Sequence, residues 1–501
     1  MRRAATATRA SPRIGVVGAG VGGLTLATIL SRKLPHARLT VLERASSDRD
    51  EGYGLDLDEF GQLALINAGV YDSYWDVSRP RSDLTRMFPL RGDEPLINKW
   101  ARYTEAESNR AGICKLLLDA ITSRGNAQVV HDCQVDGVRL TGTPGTAELV
   151  TACGEALGEF ELVVDAGGLY SPLRSLRVED AVGVHFTGRS LIHGVIDDPE
   201  AADPELARRI GEGTASAMGR GYGLTVQRFG CAPEDRRAAF FYFAPVRAAD
   251  GELEAEMGLS KATSRASGTR QAAPDAANGG DLGKVQRWLH DDMGDRFDPA
   301  WHSAVDGLSS AVVRGIYSHG EESSLREEPK GEPRLPLVCC GDALRNIGLG
   351  GGGNLALQDA LEMAEALSSK PGAFCDASGQ LQPSALDALR KAEASALQRK
   401  KAHHRRVGGM WASLAQREPG VDPLCRSLGD FADRGHQKLA LNAAGWLWAR
   451  VHRFARWRKG REMGCDQKTP LHPKVAKAMA EDQLRSHAWG GVSAVLKEVN
   501  K

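Results

Sequence analysis

The sequence predicts an α/β fold with an inserted mixed β-sheet domain and a C-terminal helical region, and three stretches carry that prediction. The first is a strand, glycine turn, helix and second strand over residues 13–44. The second is a buried strand at 335–340, followed by a glycine run and a helix, which returns the chain to the same α/β grammar far downstream. The third is a middle region, about Val182 to Ser324, where strand-like pieces are joined by acidic, Ala- and Gly-rich loops.

The opening strand, Ile14-Gly15-Val16-Val17, stops at Gly18-Ala19-Gly20-Val21-Gly22-Gly23, a GxGxxG in which Gly18, Gly20 and Gly23 hold the three glycine positions. The turn opens into the apolar helical face Leu24 to Leu30. Ala37 to Leu42 then forms a second strand that ends at Glu43, twenty residues past Gly23. Each glycine has a job. Gly18 makes the tight turn, Gly20 lets backbone N–H groups approach a pyrophosphate, and Gly23 lets helix and strand pack closely. The helix N-terminus stabilises the anion. A carboxylate at the tip of the second strand accepts from ribose hydroxyls, which favours NAD or FAD over NADP.

Composition limits the alternatives. The 501 residues leave room for two or three domains, and 42% hydrophobic with 26% charged residues describes an ordinary globular chain. Lys+Arg and Asp+Glu balance at 64 each, so net charge does not call for nucleic acid as a partner. No apolar run reaches the length of a spanning helix. The nine cysteines show no CxxC spacing, and adjacent Cys339-Cys340 suit a buried strand better than a metal; free thiols are expected. Met1 to Pro12 is rich in Arg, Ala and Thr with no acidic residue, and reads as a disordered tail or a short targeting segment.

In chain order, Gly54-Leu55 follows glycines beside Tyr53, and a helix is expected from Glu59 to Ala68, closed by Gly69. A second helix from Asn109 to Ser123 begins near Arg110, with Ile113, Leu116, Leu117 and Ala120 at helical spacing. Strands are expected at Gln128–Val130, Val135–Leu140, Ala147–Thr151 and Phe160–Val164, the last leading into Asp165-Ala166-Gly167-Gly168-Leu169-Tyr170-Ser171-Pro172-Leu173-Arg174. In the middle, strands are expected at Ser190–Ile196, Gly223–Phe229 and Ala238–Pro245, a loop or linker at Ser260–Gly280, and a helix at Leu282–Met293. After Gly341-Asp342-Ala343, the run Gly348 to Gly353 leads to Asn354 as the start of a helix over Leu355–Leu367. Ser384 is expected to cap a long helix that is basic in its second half (Arg399, Lys400, Lys401, Arg405, Arg406).

With both glycine turns in hand, the chain resembles the single-component FAD-dependent monooxygenases of the aromatic-ring hydroxylase type. The likeness rests on three spaced regions, roughly 13–70, 105–175 and 335–370. It implies a Rossmann-like FAD-binding domain over 13–182, with a possible excursion at 75–105, and a substrate domain over 183–330. The FAD-binding domain would resume over 331–370, ahead of a C-terminal helical region over 371–501. Gly18, Gly20, Gly23, Glu43 and Arg44 look like the family's adenosine-diphosphate site. Arg110 is similar to an arginine that reaches the pyrophosphate or flavin side, and Gly54 falls where family backbone passes close to the cofactor. Asp342 would hold the ribityl chain, and backbone amides near Gly352, Gly353 and Asn354 would face the flavin carbonyl edge. The sequence departs from the family pattern at Gly167-Gly168, where an Asp-Gly pair is usual, so the carboxylate is lost or moved to Asp165. Arg345 stands where a histidine is usual, and His193 falls where some relatives place a substrate arginine.

The resemblance implies NAD(P)H reduction of bound FAD, reaction with O2 to a flavin hydroperoxide, and hydroxylation or epoxidation of a small aromatic or polycyclic molecule. No catalytic triad is expected, because the cofactor carries the chemistry. The alternatives are another FAD-dependent oxidoreductase, or a flavin-binding protein that has lost catalysis. No metal is expected. Trp446 to Arg461 interleaves aromatics with basic residues, either packing on the protein body or lying in a membrane interface. A cytoplasmic location is expected, with an organelle or the membrane periphery as the alternative.

Overall fold

The structure, a computed structural model, describes residues 11–47, 54–79, 85–95, 97–99, 107–143, 145–219, 222–230, 235–244, 247–259, 282–320, 322–328, 333–348, 350–368, 374–376 and 380–415. The linker expected at Ser260–Gly280, the basic-aromatic stretch Trp446–Arg461 and the N-terminal segment to Ala10 lie outside the described residues.

The strand at Arg13–Val17 sits at the centre of a parallel five-stranded sheet. Its order is Leu337–Cys339, Leu162–Asp165, Arg13–Val17, Arg38–Leu42, Ala127–Val130. Alternation of side chains sorts the strands onto two buried faces, as a parallel sheet requires. Val16, Val164 and Val338 face a core shared with the helices Val21–Lys33, Glu59–Ala68, Arg110–Thr122 and Gly352–Ser368. Val17, Val163 and Leu337 face the opposite way, onto Ala147, Leu149 and Phe160 of a three-stranded antiparallel sheet. Phe160 lies over Gly15, where an added Cβ would stand 3.0 Å from the ring.

The expected strand Phe160–Val164 is in fact two. Ala156–Phe160 closes the antiparallel sheet, and Leu162–Asp165 enters the parallel one. Glu161 sits at the crossing and accepts from the Arg13 backbone N (2.6 Å) and from Arg13 Nη2 (2.8 Å), which fixes where the chain changes sheets. The helix after Asp58 begins as the sequence indicates. The Asp58 carboxylate accepts from Phe60 N and Gly61 N, and Gly69 ends the helix at φ +79°. Asn109 caps the next helix by accepting from Gly112 N at 3.1 Å. Ser384 does not cap the long helix. That helix starts at Pro383, where a missing N–H costs nothing, and Ser384 Oγ turns back to Gln382 Oε1.

The middle region forms a mixed seven-stranded sheet in the order Leu308–His319, Val184–Ile196, Ala238–Phe243, Tyr222–Arg228, Thr214–Gly219, Thr85–Phe88, Ile97–Lys99. Its last two strands come from the 75–105 excursion, and Thr85–Phe88 pairs parallel with Thr214–Gly219. Ile192, Ile196, Leu224, Val226, Phe240 and Tyr242 face a core with the helices Pro204–Ile210, Leu282–Met293 and Pro299–Asp306. The first strand in that order ends against the second glycine run, with His319 N donating to Asn346 O (3.3 Å) and Ile316 beside Gly348.

Candidate cofactor site

All five strands of the central sheet run the same way, so Glu43, after Arg38–Leu42, and Asp342, after Leu337–Cys339, emerge on one edge. The glycines of the first turn divide by what surrounds them. Gly18 has φ +97°, and a Cβ there would stand 2.5 Å from Ala166 O. A Cβ on Gly23 would overlap the carbonyl oxygen of Gly18. Among the described residues, none apart from its chain neighbours has an atom within 4 Å of the Cβ position of Gly20. Two glycines are thus demanded by the fold, and the middle one borders open space. The helix Val21–Lys33 begins directly after Gly20 with no side chain capping it, so its first N–H groups and dipole are directed at that space. Glu43 reaches back to the same turn, accepting from Ala19 N at 2.7 Å through Oε2 and from Ala45 N at 2.9 Å through Oε1. A carboxylate has about four acceptor positions, so two bonds leave capacity for a further donor. Arg44 follows, half-buried and partnered within the protein.

At the second turn, Gly341 has φ +61° and its N–H donates to Asp359 Oδ2 at 3.1 Å. Asp342 Oδ1 is buried without a hydrogen-bond partner among the described residues, 3.7 Å from the Cβ position of Gly352. An acceptor buried and unmet is costly, and a ligand hydroxyl would satisfy it. The helix expected from Asn354 starts two residues earlier and spans Gly352–Ser368. Asn354 is a clamp in its own right. Its Oδ1 accepts from Asp58 N (3.1 Å) and its Nδ2 donates to Asp56 O (2.8 Å).

The two turns belong to one groove. The helices that follow them touch where a Cβ on Gly22 would come within 3.1 Å of Ala356 Cβ. Leu55 packs on Gly353, which brings the strand Gly54–Asp56 to the second turn. Gly54 pairs with Asn109, and Arg110 is the next residue, so these two sites are brought together. The Cβ position of Gly54 is taken by the Glu107 carboxylate, so that glycine is required by a protein neighbour.

The long helix Pro383–Ala415 grips the second turn from behind. Arg399 Nη2 and Lys400 Nζ pair with Asp359 at 2.7 and 3.2 Å, and Glu393 Oε1 accepts from Cys339 N at 2.7 Å. Sequence reasoning read Arg399 and Lys400 as part of a basic stretch. Lys400 is fully buried, and the signal that could have found it is Asp359, a carboxylate on an apolar helical face. Arg345 is buried as well, donating to Gly320 O (2.6 Å) and Ser323 Oγ (3.0 Å) and lying 2.9 Å from His404 Nδ1. His403, 3.2 Å from Gly350 O, and His319 also lie at this turn; for His319 the partners fix the tautomer. It accepts from Asn346 N at Nδ1 (2.9 Å), which leaves Nε2 to donate to Leu169 O (3.1 Å). Burial, with Arg174 nearby, lowers its pKa to about 4, so the ring is neutral. His193 is 6% exposed on the sheet face opposite the Ile192 core; burial, with Arg314 nearby, lowers its pKa to about 3. Burial raises the thiol pKa values of Cys339 and Cys340, and both are free. Among the described residues there is no metal-binding cluster, and no helix is long and apolar enough to cross a membrane.

No family model matches the sequence. The monooxygenase asqM of Emericella nidulans is 26% identical over 230 residues, covering 43% of this chain and 51% of that protein. The chain therefore spans about half the length of the curated relatives it first matches. The FAD-dependent monooxygenase adaC of Aspergillus niger is 25% identical over 384 residues, covering 72% of this chain and 86% of its own. Among solved structures, a HpxO variant from Klebsiella pneumoniae complexed with FAD superposes with a TM-score of 0.62 at 16% identity, over 85% of this chain and 96% of that one, a likeness of fold. In fold and in sequence the chain thus resembles the FAD-dependent monooxygenases of the aromatic-ring hydroxylase type.

Proposed function

We propose that the protein binds FAD across its two glycine turns and is an NAD(P)H- and O2-dependent monooxygenase of a small aromatic or polycyclic molecule. The observation that carries the cofactor assignment is the unmet buried oxygen of Asp342, facing the start of the Gly352–Ser368 helix. In this reading the open side of Gly20 and the N-terminus of Val21–Lys33 take the pyrophosphate, and Glu43 and Asp342 accept from hydroxyls at opposite ends of the dinucleotide. Arg110, Arg44 and the Gly54 backbone would, in the same reading, also contact the dinucleotide, and the amides of Gly352, Gly353 and Asn354 would face its flavin end. FAD supplies the redox chemistry when bound, taking electrons from the nicotinamide and delivering oxygen to the substrate.

The chain's own task is to hold the substrate and exclude water. The face of the seven-stranded sheet opposite its core serves for this. Its cross-strand row runs Val312, His193, Phe241, Thr225 and Ser216. Two apolar side chains, one neutral imidazole and the hydroxyl pair Ser216–Thr225, with Arg314 on the same face, give a planar aromatic substrate both an apolar surface and hydrogen-bonding groups.

Two measurements test this. NADH and NADPH oxidation by the FAD-loaded protein should be stimulated by members of a panel of phenols, aromatic acids and polycyclic compounds. Oxygen uptake should match product, and little peroxide should be released. A dehydrogenase would instead oxidise substrate without incorporating oxygen. Second, Asp342→Ala should weaken FAD binding about tenfold to a hundredfold, the worth of a lost charge-assisted hydrogen bond, while the apoprotein melts no lower than wild type. Equal FAD affinity in the variant would exclude the assignment.

A further inference from the structure

We propose that Asp165 is a positioning residue that couples the two glycine turns, holding the 166–171 turn against the first while touching the strand that delivers the second. This rests on the FAD-binding reading above. Asp165 ends the strand between the two cradle-bearing strands, in register with Val17 on one side and Cys339 on the other. It is completely buried. Oδ1 accepts from Gly167 N at 3.0 Å, Oδ2 from Ser171 Oγ at 2.7 Å, and Oδ2 also lies 3.7 Å from Cys339 Sγ. Its main-chain oxygen accepts from Cys340 N at 2.8 Å, two residues before Asp342. The turn it holds is wedged against Gly18 and Gly23. Ala166 O is 2.5 Å from the Cβ position of Gly18, and Ala166 Cβ is 3.2 Å from that of Gly23. Ser171 in turn accepts from Leu173 N at 3.2 Å, which passes the constraint on to the start of the following turn.

An ionised carboxylate accepts at both oxygens, whereas a protonated Oδ2 keeps its contact with Ser171 Oγ only by donating to it. Among the described residues no cation forms an ion pair with Asp165; Arg174, on the neighbouring turn, pairs with Asp180 at 3.1 Å. The other titratable groups facing it are Glu393, Cys339 and Cys340. Burial raises its pKa to about 6 against the pull of the Gly167 and Ser171 donors. The double acceptor therefore forms above that pH, and below it one oxygen carries a proton.

The test uses the full chain with FAD as the probe. Asp165→Ala is expected to weaken FAD binding at least tenfold at pH 7.5, and Asp165→Asn, which keeps the shape and one acceptor, to stay within threefold. Wild-type affinity should fall as pH drops through about 6, where the carboxylate takes its proton, and the Asn variant should lack that inflection. Wild-type affinity in Asp165→Ala, or an unchanged inflection in Asp165→Asn, would overturn the proposal. Should the wild type bind no FAD, the cofactor reading fails and the coupling is still read in the apoprotein by hydrogen exchange. Asp165→Ala should then speed exchange at both Gly167–Ser171 and Cys340–Ala343. Faster exchange at the first segment alone, or at neither, would overturn it.

Discussion

Alanine at Gly23 will destabilise the protein strongly, whereas valine at Gly20 will cost only the small difference between glycine and valine as a helix N-cap and will weaken FAD binding. At Gly23 the new methyl group would meet the Gly18 carbonyl oxygen, which is backbone, and Ala166 Cβ at 3.2 Å, so nothing flexible can yield. Overpacking of this kind costs about 1–3 kcal/mol, and a backbone obstacle places Gly23→Ala at or above the top of that range. Gly20 has φ −71° and ψ 174°, extended backbone that valine adopts readily, and among the described residues none but its chain neighbours lies within 4 Å of its Cβ position. A valine there enters the space assigned to the pyrophosphate. Thermal melts and a fluorescence titration with FAD read the two effects separately. If Gly20→Val binds FAD as wild type does, the first turn is not a phosphate cradle.

Asp359→Asn will be more damaging still. Asp359 accepts from Gly341 N and pairs with Arg399 and Lys400, and both it and Lys400 are fully buried. Arg399 keeps Glu362 at 2.8 Å, but Lys400 is left as an unpaired buried charge, and breaking such a pair costs about 3–5 kcal/mol. Replacing Lys400 by methionine as well removes one stranded charge and should recover a substantial part of the loss. The urea midpoints of wild type, Asp359→Asn and Asp359→Asn/Lys400→Met form the test. A double variant no more stable than the single one would mean that Lys400 is satisfied by something other than Asp359.

What the sequence made legible was local. The β-branched run Ile14–Val17, the glycine spacing, Asp58 and Gly69 at the ends of one helix, and the period of Leu282–Met293 are each decided by residues within a turn or two of one another. The two glycine turns near Gly18 and Asp342 were legible for the same reason, because glycines before a helix leave a pattern. The long-range part was hidden. The switch of sheets at Glu161 depends on Arg13, 148 residues away, and the burial of Lys400 depends on Asp359 on a different helix. A lysine in a basic stretch looks like a solvated one until the fold supplies its carboxylate. Asp165 was noticed only as a displaced carboxylate. That it contacts Gly167, Ser171 and Cys339 together required the register of three strands.

The parallel sheet is completed by Leu337–Cys339, which pairs on the open side of Leu162–Asp165. During synthesis the earlier strand must therefore wait, its edge exposed, until the five middle-sheet strands that lie between the two, from Val184–Ile196 to Leu308–His319, have left the ribosome. An exposed apolar edge is an invitation to pair with another nascent chain. The insertion thus sets a timing problem for biogenesis. Premature termination anywhere before Leu337 would yield an aggregation-prone fragment, not a smaller working protein.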